Sequence, residues 1–228
     1  MLHVFTGHED RVAVGTHVFV QSVLDHAKSP VSIAPITRIA TPGHAEGSNA
    51  FTARRFLVPH AMGRVGFALF CDGADMLARA DINEVLQYAS HRHAVMVVKH
   101  HYKTRNARKY RGTAMESGNE DYERKQWAAV MLFNCRHPAW IDVTPEFVKK
   151  TPVLDLLQFN FLPDELIGEL PMEWNWLADE HGENLRAKLL HFTAGVPAIP
   201  AHASGPMTDE WLATRARAMS ATTGDTPP

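Results

Sequence analysis

Asp72-Gly73-Ala74-Asp75 closes the apolar run Phe67-Ala68-Leu69-Phe70-Cys71 with two carboxylates around a glycine. A run of that length reads as a buried strand, and in open α/β folds ligands gather at the carboxyl ends of strands. Acids at such a point are placed to hold a hard divalent cation. A plainer reading has an Asp-Gly turn after the strand, with Asp75 capping the next helix. His191 closes a second apolar stretch, Lys188-Leu189-Leu190-His191, ahead of a turn containing Gly195. One histidine in that setting is usually a satisfied core residue. Asp164 and Glu165, inside Leu162-Pro163-Asp164-Glu165-Leu166, lie at a segment boundary where acids either face a pocket or cap a helix.

These groups need elements to position them, and the chain reads as alternating strands and helices. Leu2 to Thr6 forms a short strand, Gly7 to Arg11 a polar turn, and Ala13 to Ala27 a helix with Val14, Val18 and Leu24 inward and Asp10 as its cap. Val31 to Ile36 is a second strand. A Pro, Gly, His and Ser-rich loop over Thr41 to Ser48 precedes a helix near Ala50 to Val58, ended by Pro59. After Phe67 to Cys71 come a short helix at Asp81 to Leu86, the β-branched strand Ala94 to Val98, and another buried strand from Trp127 to Cys135. Thr144 and Pro145 mark a helix start. Such alternation argues for an α/β fold, a mixed and mostly parallel sheet flanked by helices. Between His101 and Gln126 lies a long polar loop, basic at Lys103, Arg105, Arg108, Lys109 and Arg111 and acidic at Glu116, Glu120, Asp121 and Glu123. Its basic half suits an anionic group, although a solvated, self-neutralising loop explains each residue singly.

Length and composition narrow the class. The 228 residues suit one domain over 1–221, with Thr222 to Pro228 as a disordered tail. A formal charge of −2 gives no nucleic-acid footprint. No apolar run reaches the roughly 20 residues of a membrane span, and Met1-Leu2-His3-Val4-Phe5 lacks a signal-peptide pattern, so a cytoplasmic protein is expected. Cys71 and Cys135 fall in strands and read as reduced core thiols.

The order of the pieces is similar to that in the family-eight retaining glycosyltransferases, the glycogenin and lipopolysaccharide galactosyltransferase group. Val4-Phe5-Thr6-Gly7-His8-Glu9-Asp10-Arg11 resembles the family's first strand and nucleotide loop, and Phe51 to Pro59 its segment with an arginine four residues before a proline, here Arg55. The Asp72 to Asp75 turn resembles its metal motif, Leu162 to Asn175 its late carboxylate segment, and His191 with Gly195 its carboxy-terminal metal histidine.

The resemblance implies a GT-A-like, Rossmann-like fold and transfer of a hexose from a nucleoside diphosphate sugar, expected to be a UDP-sugar, to a carbohydrate or glycoconjugate acceptor with anomeric retention. It implies donor contacts from Thr6, Gly7, Glu9, Arg11, Arg55, Asp72 and Gly195, metal ligation by Asp72, Asp75 and His191, and support of the departing sugar by Asp164 or Glu165. A cation offsets charge building on the leaving diphosphate, and one imidazole among oxygen ligands favours Mn²⁺ over Mg²⁺. Two residues separate the acids here where the family has one, so the chain must turn at Gly73 for both to face one point. Ala128 and Ala129 stand where small polar residues are common. Two other classes stay open: a silent nucleotide-sugar or carbohydrate-binding relative, and, ranked last, a metal-dependent hydrolase using pairs such as His91 with His93 or His100 with His101.

Overall fold

A computed structural model describes residues 1–36 and 51–220. The expected loop at Thr41 to Ser48, Ala50 and the expected tail from Thr222 lie outside the described residues. The strands are β1 (Leu2–Thr6), β2 (Val31–Pro35), β3 (Phe67–Cys71), β4 (Met76–Ala78), β5 (Val95–Val97), β6 (Arg108–Lys109), β7 (Ser117–Gly118), β8 (Val130–Asn134), β9 (Ile167–Glu169), β10 (Trp176–Leu177) and β11 (Leu189–His191). The helices are α1 (Ala13–His26), α2 (Val58–Ala61), α3 (Pro145–Lys150), α4 (Val153–Leu157), α5 (Ala178–His181) and α6 (Thr208–Ala218), joined by several 3₁₀ turns.

The main sheet runs β2-β1-β3-β8-β5-β9. Its pairings are parallel except for the two made by β8, which is antiparallel to both β3 and β5. β8 and β5 are buried along their length, as expected of strands covered on both faces and written as continuous apolar runs. Alternation along β3 sends Ala68 and Phe70 into one core with Phe56, Phe133, Trp140 and Phe159. Leu69 and Cys71 enter the opposite core with Phe19, Val23, Leu132 and Trp174.

A second sheet, β10-β11-β4, carries the chain from the first acidic turn to the candidate histidine. Antiparallel pairing of β11 on β4 sets His191 opposite Met76, and Phe192 N extends the ladder by donating to Asp75 O at 2.8 Å. A register one residue away would turn His191 to the other face. α1 and α6 cover this sheet, with Val18, Leu77, Leu190, Phe192 and Trp211 in a third core.

Several expected local details differ. Phe19 and Val23 join Val18 on the buried side of α1, while Leu24 is 55% exposed, because the helix packs on two sheets and its apolar stripe is shifted. Asp10 caps nothing: Glu9 caps the short 3₁₀ turn before α1, and Asp10 is exposed beside His8. Pro59 opens α2 instead of ending a helix, consistent with proline's preference for the first turn. Asp75 is followed by strand β4, so the helix-cap reading of that acid fails. Thr144 caps α3 as expected, accepting from Phe147 N at 3.2 Å. Both cysteines are buried and free. Among the described residues no helix is long and apolar enough to cross a membrane.

Candidate functional site

Two glycines bring the end of β1 against the end of β3. Gly73 adopts φ +69, the left-handed region, and a Cβ there would lie 1.7 Å from Thr6 Oγ1. At Gly7 a Cβ would lie 2.6 Å from Asp72 O, and its amide donates to Cys71 O at 3.0 Å. The chain therefore reverses at Gly73, with Ala74 N on Asp72 O at 2.7 Å and Met76 N on Gly73 O at 3.1 Å. The turn lets Asp72 and Asp75 converge despite two intervening residues.

His191 meets them through the β4–β11 register. One ligand atom from each of Asp72, Asp75 and His191 lies within 4.8 Å of the others, and all three residues are buried. His191 Nε2 stands 3.4 Å from Asp75 Oδ1, an ion-pair contact too long for a good hydrogen bond. Its Nδ1 is 2.9 Å from Asn175 Oδ1, and Asn175 Nδ2 donates to Gln126 O at 3.1 Å. Because the Gln126 carbonyl only accepts, the amide nitrogen of Asn175 faces it. His191 then donates from Nδ1, leaving Nε2 to face the carboxylates.

Arg55 lies beneath Asp72. Its Nη1 is 2.7 Å from Asp72 Oδ1 and donates to Ala128 O at 2.7 Å, while Nε donates to Thr52 O at 2.9 Å. Phe51 and Phe70 flank the guanidinium at 5.3 and 5.1 Å. Asp72 N in turn donates to Ala129 O at 2.9 Å. Arg55 is thus an internal strut for the acidic turn.

Burial pushes the Asp72 carboxyl up to about 6, against the pull of Arg55. Burial also opposes ionisation of Asp75, but the charge and ring N–H of His191, together with the charge of Lys109, outweigh it and hold Asp75 below its ordinary value. Burial pulls His191 down, and Asp75 with Asp72 and Asp179 together more than reverse this, so its pKa is raised. Neither Asp72 Oδ1 nor Asp75 Oδ1 receives an aligned hydrogen bond. Buried carboxylate oxygens held by ion pairs but short of aligned hydrogen bonds, converging with one imidazole nitrogen, suit a divalent cation. Among the described residues no other cluster of histidine, cysteine and acid side chains approaches this closely, and neither His91 with His93 nor His100 with His101 belongs to it.

The cavity over this group is walled by Thr52, Lys109, Tyr110, Tyr122, Gln126 and Leu157, together with Arg55, Ala128 and Ala129. Asp164 and Glu165 do not line it. Both are exposed in a 3₁₀ turn whose amino end is Pro163, and Asp164 pairs with Arg124 at 2.6 Å. Thr6 and Gly7 are buried behind the acidic turn, and Glu9 accepts from Arg11 Nε at 2.7 Å. Gly195 lines a neighbouring cavity with Arg111, Asp179 and His202.

Asn175 and Gln126 carried no role in the sequence, since nothing in Trp174-Asn175 distinguishes a ligand-orienting amide from a core one. The polar loop also proves to be built. Glu180, 2% exposed, accepts from Thr104 Oγ1 at 2.5 Å, Arg105 N at 2.7 Å and Asn106 Nδ2 at 3.3 Å. Its neighbour Asp179 accepts from Thr193 N at 3.1 Å, Thr193 Oγ1 at 3.0 Å and Ala194 N. Consecutive acids on α5 thereby fix the loop and the turn after His191.

No family model matches the chain. It is 31% identical to Protein CDI of Arabidopsis thaliana over 223 residues, covering 92% of this chain and 84% of that protein. Among solved structures it is similar to the WbbM bifunctional glycosyltransferase, with TM-score 0.69 and 15% identity over 94% of this chain. It spans about half of that protein, 49%. The galactosyltransferase LgtC, solved with donor and acceptor sugar analogs, gives TM-score 0.63 at 12% identity, covering 97% of this chain and 98% of LgtC. GlyE of Streptococcus pneumoniae TIGR4 gives 0.61 at 13% identity, covering 94% of this chain and 61% of GlyE. The fold is that of family-eight-like, GT-A nucleotide-sugar transferases.

Proposed function

The chain belongs to the family of Protein CDI, and from that premise we propose that it transfers a hexose from a nucleoside diphosphate sugar, a UDP-sugar, to a carbohydrate or glycoconjugate acceptor with retention. Residues 1–221 would act as one transferase domain. One observation carries the reading. Asp72, Asp75 and His191 converge at the carboxyl end of β3, facing a cavity, in a fold shared with glycosyltransferases.

In this reading Asp72, Asp75 and His191 hold a divalent cation, Mn²⁺ from the mixed oxygen and nitrogen donors. When bound, the cation supplies Lewis-acid stabilisation of negative charge on a leaving diphosphate. Arg55 keeps Asp72 in place from the protein side through its bond to Ala128 O. Asn175 holds His191 with Nε2 toward the two acids. The β1 loop from Thr6 to Arg11 abuts the acidic turn and would receive the nucleoside, and a donor contact from Gly195 would have to reach over from the neighbouring cavity.

Retaining hydrolases use two carboxylates about 5 Å apart, one as nucleophile. Here the cavity's own carboxylates, Asp72 and Asp75, are assigned to the cation, which favours transfer with the leaving diphosphate as proton acceptor. Asp164 or Glu165 would support the departing sugar, which requires the 163–166 turn to approach the cavity. Unchanged turnover in Asp164→Asn and Glu165→Gln would pass that role to Gln126, already in the cavity wall.

The test is a screen of nucleotide sugars for Mn²⁺-dependent donor hydrolysis and transfer, with NMR of the product anomer. We expect turnover with one donor class and loss of at least about a hundredfold in Asp75→Ala, as for removal of a charge-stabilising group. Donor binding without turnover for any donor would favour the silent binding relative.

A further inference from the structure

Lys109 stands apart from Arg55, which shares its cavity, and from Lys125, which lies outside the cavity lining. Arg55 commits Nη1 to Asp72 and Ala128 O and Nε to Thr52 O. Lys125, 4% exposed, donates to Asn119 Oδ1 at 2.9 Å and Glu120 O at 2.8 Å. Lys109 lines the same cavity as Asp72, Asp75 and His191, and its charge acts on both carboxylates. Among the described residues its ammonium makes neither an ion pair nor a hydrogen bond.

Its position is fixed by the loop around it. Lys109 pairs with Ser117 in the β6–β7 hairpin, and Arg108 beside it pairs with Glu116 at 2.5 Å. Tyr110 N donates to Ala194 O at 2.7 Å, three residues past His191, so the backbone carrying Lys109 is tied to the strand carrying the candidate metal ligand. Glu180 and Lys125 anchor the loop on either side. A lysine held half-buried over two carboxylates, with all three ammonium donors unspent, is a poor device for stability and a good one for an anion.

Charge accounting points the same way. A divalent cation balances Asp72 and Asp75, after which Arg55 and Lys109 leave the cavity with two positive charges. A sugar nucleotide's diphosphate carries two negative charges there, and Arg55 already commits Nη1 to Asp72 and Ala128 O.

We infer that Lys109 is the direct ligand of the donor's diphosphate, contacting the phosphate that departs from the sugar. The inference rests on the transfer reading above. On cleavage of the anomeric carbon–oxygen bond the electron pair stays on the phosphate oxygen, the acceptor hydroxyl oxygen bonds the anomeric carbon, and its proton passes to the departing phosphate. Lys109 keeps its own proton and meets the added charge.

Removing this charge has opposite consequences for two ligands, which a structural lysine would not show. Calorimetric titration of Lys109→Met and Lys109→Arg against Mn²⁺ alone, and against UDP and inorganic pyrophosphate in saturating Mn²⁺, reads both. Lys109→Met should bind UDP and pyrophosphate at least about tenfold more weakly, the loss carried by one charge-assisted contact. It should bind Mn²⁺ alone as tightly as wild type or tighter, because a repelling charge has gone. Lys109→Arg should restore most of the UDP affinity. Unchanged UDP and pyrophosphate affinity in Lys109→Met overturns the inference, as does a parallel loss of Mn²⁺ affinity. Wild-type protein that binds neither UDP nor pyrophosphate with Mn²⁺ overturns the transfer reading and this inference with it.

Discussion

Gly73 decides whether two acids separated by Gly-Ala become one site. Along an extended strand Asp72 and Asp75 would point apart, and φ +69 at Gly73 brings them together. Alanine at that position must accept left-handed backbone and a 1.7 Å approach to Thr6 Oγ1. Gly63 is the internal control: its φ is +59 and an added methyl would have nothing within 4 Å, so alanine there meets only the conformational cost. In denaturant unfolding Gly73→Ala should lose about 2–4 kcal/mol against about 1 kcal/mol for Gly63→Ala. Equal losses would mean that the close approach of β1 to the acidic turn contributes nothing. The residue scale was also where the sequence was most readable. Asp72, Asp75 and His191 each lie at or just past the end of an apolar run, a pattern visible without coordinates. Asn175 was not assignable, and Lys109 was legible only as one of five cations in a loop suited to an anion, because orienting an imidazole or facing a cavity depends on contacts between segments far apart in the chain.

At the scale of elements, strands read from apolar runs agree with the fold, and helix details depart where two sheets compete for one helix. α1 is the case: its stripe includes Phe19 and Val23 and leaves Leu24 outside. α1 also carries Asp25, which accepts from Gln21 Nε2 at 2.6 Å and from Arg217 Nη2 of α6 at 2.8 Å. Burial acts to raise the Asp25 pKa, and Arg217 and Gln21 more than offset it, so the carboxyl sits below its ordinary value. A depressed acid stabilises the fold above its unfolded pKa, and that contribution fades as pH falls through the folded value. Arg217 is 55% exposed, which limits the gain to no more than about 1 kcal/mol at neutral pH. Asp25→Asn should therefore be slightly less stable than wild type at pH 7, with the gap closing in acid below the ordinary carboxylate range. A gap that persists or widens there would show that the α1–α6 contact is held by packing around Trp211 and not by this pair.

Across the whole molecule, the candidate site depends on two sheets meeting at one point. The main sheet delivers Asp72 at the end of β3, the small sheet delivers His191 at the end of β11, and the polar loop closes over both through Glu180 and the Tyr110–Ala194 bond. The alternation of strands and helices foretold the α/β class. It did not foretell the separate β10-β11-β4 sheet, whose strands are two or three residues long and carry too little pattern to pair by inspection. The most direct test of the account is anomalous diffraction at the manganese edge from crystals soaked in Mn²⁺ and UDP. The account predicts one strong peak bounded by Asp72, Asp75 and His191, with diphosphate density beside it. A peak elsewhere, or diphosphate density remote from these three side chains, would contradict it.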